Sequence, residues 1–239
     1  NAQKHFFMRT VFSGDIAAEV LVNALASQLP EGAEIKLSKN GKKKILVLAS
    51  KEQHCLSDLL IRNHFNEMNA SIMAVISNHN NLQPLVEKFE LPFYCISHIN
   101  KSREEQEQEV INTIDSYSPD YIVLAKYMRI LSPAFVEKYR NRIINIHHSF
   151  LPAFIGANPY AQAYTRGVKI IGATAHFVND LLDEGPIIAQ QVISVNHSNS
   201  AKEMSDKGKE IEKMVLAQAL SLVFNEKLFI YGNKTIVFE

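Results

Sequence analysis

Residues 143–160 read IINIHHSFLPAFIGANPY, an apolar run broken by an asparagine, two histidines and a serine. Side chains alternate along a strand, so Asn145, His147 and Ser149 are expected on one face and Ile144, Ile146 and His148 on the other. The Cα atoms of Asn145 and His147 would then lie about 6.5–7 Å apart, leaving room for one small functional group between the two tips. The Asn145 amide can donate to a developing oxyanion. His147 can move a proton near neutral pH. A nearby carboxylate would favour its imidazolium form, and the turn NDLLDEGP (179–186) offers Asp180, Asp183 and Glu184 beside the restraining pair Gly185 and Pro186. A strand-end histidine is equally well a hydrogen-bonded structural residue, so these residues alone leave catalysis open.

Groups of this kind need a scaffold that holds them at a strand end. Short continuous apolar runs at 45–50, 71–78, 92–97 and 120–125 alternate with segments of helical spacing. Such runs are strands buried on both faces, and their alternation predicts a doubly wound α/β domain with a mostly parallel sheet. Residues 143–148 form the fifth strand, and its carboxyl end is where open α/β sheets place their ligands. Residues 172–178 and 186–195 read as an antiparallel pair. A helix is predicted from Ser200 to Phe224, with Ser200 and Glu203 as a capping box. Residues 228–238 read as a hairpin turning at Gly232-Asn233.

Ahead of the basic turn at 39–44 the pattern differs. Residues 6–12 and 33–38 read as strands around a helix at 15–29, so two domains are expected, 1–40 and 41–239. Lys+Arg and Asp+Glu number 25 each, which gives no footprint for nucleic acid. The apolar runs are too short to cross a bilayer. Cys55 and Cys95 form no CxxC pair, and their use fits a reducing cytoplasm. His147, His148 and His176 do not converge as ligands, because neighbouring strand residues point apart. With no HExxH and no Cys/His cluster, no metal or other cofactor is expected.

The stretch INIHHSFLPAFIGANPY followed by GATAHFVNDLLDEGPIIAQ resembles the folate-dependent formyltransferase family: Asn-x-His, Ser-x-Leu-Pro, then His-Phe-Val with Asp-x-Gly-Pro. LAKYMRILSP (124–133) resembles the same family's folate-contacting strand end, and the resemblance covers about residues 44–225. It implies a Rossmann-like formyltransferase fold and a catalytic trio of Asn145, His147 and Asp183. It also implies a pterin site of 10-formyltetrahydrofolate at Met128, Arg129, Ile130 and Leu131 and at Asn179, Asp180 and Leu182. His148, Ser149 and His176 are expected around the trio.

Family members that formylate glycinamide ribonucleotide carry a glycine-rich loop after the first strand, whose N–H groups hold a phosphate. Here the segment is LASKEQHCLSDLL, with no glycine and with Ser50 and Gln53 expected as a capping box. They also carry proline where this chain has His148. Water is therefore the expected acceptor. The double histidine, KYMRIL and the terminal YGNKTIVF resemble the family's hydrolytic members, which release formate and tetrahydrofolate, supply formate for purine biosynthesis and balance one-carbon pools. Such members carry an N-terminal ACT domain. Residues 1–40 resemble its second half, which implies a small amino-acid effector and, through an open strand edge, a homo-oligomer. Two alternatives remain: a phosphoribosylglycinamide-type formyltransferase, and a folate or amino-acid sensor without turnover.

Overall fold

Residues 43–49 form an interior strand of a seven-stranded sheet in the computed structural model, which describes residues 5–38, 41–153 and 159–238. In chain order a helix α1 (Ala18–Ala26) precedes β1 (Lys43–Ala49), α2 (His54–His64) and β2 (Ala70–Ser77). Then come α3 (Gln83–Glu87), β3 (Phe93–Cys95), α4 (Arg103–Tyr117), β4 (Tyr121–Leu124), α5 (Pro133–Lys138) and β5 (Ile143–His147). After α6 (Pro159–Arg166), β6 (Ile170–Phe177) and β7 (Ile187–Ser194), a long helix α7 (Ala201–Phe224) leads to the hairpin β8 (Leu228–Tyr231) and β9 (Lys234–Val237). The sheet order is β3-β2-β1-β4-β5-β6-β7. Its first five strands are parallel, β6 runs antiparallel to β5, and β7 runs antiparallel to β6. The expected doubly wound, mostly parallel sheet is therefore present, with β1 between strands reached by crossovers in opposite directions.

Alternation along the strands divides the core. Ile45, Val47, Ile144, Ile146, Ala173 and Ala175 face α2 and α7, whereas Leu46, Leu48, Ile122, Leu124 and Ile143 face α4 and α5. Apolar side chains on both faces are what a sheet covered on both sides requires. Asn145 and His147 fall on the α4/α5 side, beyond the end of its apolar packing. The predicted capping box of α7 is present, with Ser200 accepting from the N–H of Glu203 and Glu203 accepting from that of Ser200. The hairpin turns where expected, at Gly232 with φ 56°. Among the described residues no helix is long and apolar enough to cross a membrane.

Three local expectations fail. Residues 6–12 and 33–38 are not strands. A strand gains its hydrogen bonds from a neighbour, and these segments have none among the described residues: Phe6 is 86% exposed and Val11 73%. Residues 6–12 are instead tied down by Arg9, which donates to the backbone carbonyls of Asn225 and Glu226. Ser50 and Gln53 make no capping box, because α2 starts at His54 with Gln53 at its N-cap and no side-chain cap. The Ser50 hydroxyl is used across strand ends, donating to Asn78 Oδ1 at 2.7 Å and accepting from the Met128 N–H at 3.0 Å. Finally, β5 ends at His147, so the alternation that would point His148 away from His147 stops one residue early.

Candidate active site

The register of β5 against β6 sets the site. Asn145 lies opposite His176, and His147 opposite Thr174. The His176 ring Nδ1 lies 2.9 Å from its neighbour's carbonyl, Phe177 O. That carbonyl can only accept, so Nδ1 carries the proton and Nε2 offers a lone pair. The Asn145 amide nitrogen lies 3.2 Å from this Nε2 and donates to it. Burial lowers the His176 pKa and keeps the ring neutral, in agreement with that tautomer. Asn145 is thereby fixed with its NH₂ turned inward, and one N–H remains for another acceptor.

Asp183 arrives from the β6–β7 turn. Phe177 N–H donates to Pro186 O and Val178 N–H to Ile143 O, closing the turn onto the sheet. A Cβ on Gly185 would run into the Phe177 carbonyl, so only glycine lets the chain pass so close. Asp183 itself sits in the left-handed region at φ 58°, a conformation a non-glycine residue adopts at some energetic cost. Its carboxylate lies 3.2 Å from His147 Nδ1 and 3.7 Å from His176 Nε2. Burial works against its charge, but the hydrogen bond to His147, and after it the field of His147, outweigh it and hold its pKa below the usual range.

His147 is 5% exposed, and its Nε2 is buried with no hydrogen-bond partner among the described residues. With Nδ1 occupied by Asp183, this nitrogen is the free end of the group. An unsatisfied buried polar atom is uncommon and marks a place where an exogenous polar atom fits.

The structure thus brings Asn145, His147, His176 and Asp183 into one cluster, and His176, expected only nearby, bridges two of the others. His148 stands beside His147, with ring centroids 5.2 Å apart, a distance incompatible with opposite faces of a strand. Burial first, and Lys126 second, lower its pKa to about 4. Ser149 is not in the cluster; its hydroxyl donates to Ala153 O at 2.6 Å. Residues 154–158 of the motif lie outside the described residues. Of the expected pterin loops, Met128, Ile130 and Leu182 are exposed and Arg129, Leu131 and Asn179 half-buried, while Asp180 is exposed. The Ile130 carbonyl accepts from Arg103, and the Asn179 side chain accepts from the Leu181 N–H.

Sequence reasoning missed a second buried group. Glu212 of α7, 1% exposed, takes His54 Nε2 at 2.8 Å, Lys126 Nζ at 3.2 Å and the Tyr160 hydroxyl at 2.7 Å. One detectable signal was Gly208 and Glu212 lying four apart on the otherwise apolar face of α7. Atoms of His54, Cys55 and Glu212 lie within 4.8 Å of one another. Lys126 already supplies a cation there, and burial pushes the Cys55 thiol up toward its neutral form, so these residues form an ion-pair network rather than a ligand set.

Comparison with known proteins gives the family. The formyl transferase family matches residues 43–220. The formyltetrahydrofolate deformylase of Haemophilus influenzae is 53% identical over 234 residues, 98% of this chain and 84% of that protein. A formyltetrahydrofolate deformylase structure from Pseudomonas syringae pv. tomato is 45% identical with a TM-score of 0.81, over 83% of this chain and 66% of that one. The glycinamide ribonucleotide transformylase 1 of Symbiobacterium toebii shares the fold at 26% identity and a TM-score of 0.80, covering 88% of this chain and 100% of its own. By the span of the family match and by its identity to these relatives, the chain belongs to the formyl transferase family.

Proposed function

We propose that the protein hydrolyses 10-formyltetrahydrofolate to formate and tetrahydrofolate. The observation that carries this reading is the orphaned Nε2 of His147, backed by Asp183 and flanked by an Asn145 amide of fixed orientation. The identity to formyltetrahydrofolate deformylases supplies the substrate. The formyl oxygen is received by an N–H of Asn145 and by Nε2–H of imidazolium His147, while Asp183 accepts from His147 Nδ1–H and holds the attacking water. Water oxygen bonds to the formyl carbon and charge collects on the former carbonyl oxygen; each donor there is worth about 3–4 kcal/mol. The bond from carbon to N10 then breaks, His147 gives its proton to N10, and a proton from water restores the imidazolium. The balance is formyltetrahydrofolate and water in; formate, tetrahydrofolate and one proton out. Every step uses side chains of the chain alone.

Exposed aliphatic side chains at Met128, Ile130, Leu181 and Leu182 suit the faces of a flat pterin ring, which would lie between the two loops. Further parts of the proposal are a cytoplasmic setting, a supply of formate for purine synthesis, and a division at about residue 41. The ACT-type reading of residues 1–40, with its amino-acid effector and homo-oligomer, rests on sequence pattern alone.

The deciding assay is formate release from 10-formyltetrahydrofolate with no amine present. Steady turnover is the expected result. The likeness to the Symbiobacterium toebii transformylase favours a second reading, transfer to glycinamide ribonucleotide. Strict dependence of turnover on that amine would replace the first reading with the second. Binding of folate without turnover under either condition would leave a sensor.

A further inference from the structure

In a doubly wound sheet the crevice for ligands opens between the carboxyl ends of the two strands whose crossovers leave in opposite directions. Here those strands are β1 and β4, with β2 on the far side of β1 and β5 on the far side of β4. His54 opens α2 a few residues past β1, and Lys126 lies just past the end of β4. Between them stands the carboxylate of Glu212, from α7, with one oxygen 2.8 Å from His54 Nε2 and 3.2 Å from Lys126 Nζ. Its other oxygen accepts from the Tyr160 hydroxyl at 2.7 Å.

Three side chains thus converge on one carboxylate, as they would on an anionic ligand. An ionised carboxylate accepts only, so His54 presents Nε2–H to it. The arrangement is costly to build. Lys126 is 4% exposed and sits at φ 63°, in the left-handed region, and a buried ion pair is weak evidence of stabilisation. Local backbone strain of this kind clusters at functional sites. Tyr160 fits against α7 only because residue 208 is glycine, since a Cβ there would run into the Tyr160 ring. The network also adjoins the reacting groups: the Tyr160 ring lies 6.1 Å from the His148 ring, and His148 lies 5.2 Å from His147. We propose that Glu212 is a specificity residue: its carboxylate fills the crevice as a built-in anion and keeps a phosphorylated acceptor amine from the place beside His147, so that water alone reaches the formyl carbon. This deepens the hydrolytic reading and rests on it.

The test removes the built-in anion. Glu212→Ala leaves Lys126, His54 and Tyr160 around an empty seat, and sodium acetate, a small carboxylate, is the probe. Urea unfolding is followed in acetate and in sodium chloride of equal ionic strength. Acetate should stabilise Glu212→Ala saturably, lowering its unfolding constant about 100-fold at about 100 times the acetate Kd. The unmodified protein and Glu212→Gln, in which the crevice stays filled, should respond alike to the two salts. Adding Lys126→Met to Glu212→Ala should abolish the acetate response. A Glu212→Ala response no larger than that of the unmodified protein overturns the proposal, and so does one that ignores Lys126→Met. Should Glu212→Ala fold in neither salt, the unmodified protein still decides: millimolar glycinamide ribonucleotide should leave its formate release unchanged, and inhibition by that amine, or its formylation, overturns the proposal. Absence of formate release without any amine defeats the hydrolytic reading instead, because the acetate titration reads the crevice whatever the acceptor.

Discussion

Asp183 reaches His147 Nδ1 at 3.2 Å from a backbone held at φ 58°, inside a turn that closes over Gly185 with no room for a Cβ. The contact therefore depends on turn geometry as much as on charge. His176, oriented by its own bond to the Phe177 carbonyl, fixes the Asn145 amide, so the end of β6 and the turn after it set the orientation of both groups proposed to face the reacting carbonyl. A donor pair aimed before substrate arrives needs no rearrangement during the reaction, and this is the main source of its catalytic value.

Asp183→Asn keeps the shape of the turn and removes the charge. Turnover should fall by about 10²–10³-fold, while folate affinity changes by less than about threefold. Steady-state kinetics and a folate-binding titration check this, and retention of near-normal turnover would move the role to another carboxylate.

Asn145→Ala removes one oxyanion donor and should cost about 10²–10³ in kcat with little change in KM. His176→Ala leaves that donor in place but free to turn, so a smaller loss of about tenfold is expected. Equal losses for the two variants would give His176 a direct part in the chemistry.

Much of this arrangement was legible in the sequence, and the failures share a cause. The central strands follow from apolar runs, and the start of α7 from Ser200 and Glu203, because these signals are local. Residues 6–12 carry the composition of a strand, yet a strand exists only with a neighbour, which composition does not supply. The direction of His148 was misread because alternation holds only inside a strand, and β5 ends one residue before it. The Glu212 network was invisible for a different reason. Its members come from α2, the end of β4, α6 and α7, with His54 and Glu212 158 positions apart, and no spacing rule reaches that far.

Gly185→Ala tests the turn itself. Its Cβ would meet the Phe177 carbonyl, a backbone atom that cannot step aside. A loss of about 2–4 kcal/mol in urea unfolding is expected, together with turnover reduced at least as far as in Asp183→Asn. Unchanged stability would show that the turn has another close-packed conformation.

Acid should unfold the protein in two overlapping stages. His148 in the fold takes its proton only near pH 4, because of burial and then Lys126, whereas the unfolded chain takes it near 6.5. The unfolded state therefore binds more protons between these values, and stability falls as pH drops, by up to about 1.4 kcal/mol per unit for one full proton. His176, also lowered by burial, adds to the same window with the same sign. Glu212 acts lower. Burial opposes its charge, but His54, Lys126 and Tyr160 outweigh that and bring its pKa from 4.5 to about 2. Its contribution is complete above 4.5 and is lost as pH falls toward 2. Urea midpoints should therefore be highest near neutrality and decline steadily from about pH 6.5, well before carboxylates begin to protonate. His148→Gln should flatten the upper part of the decline and leave the lower part unchanged. A midpoint that stays level from pH 6.5 to 5 in the unmodified protein would mean that neither buried histidine is held neutral by the fold.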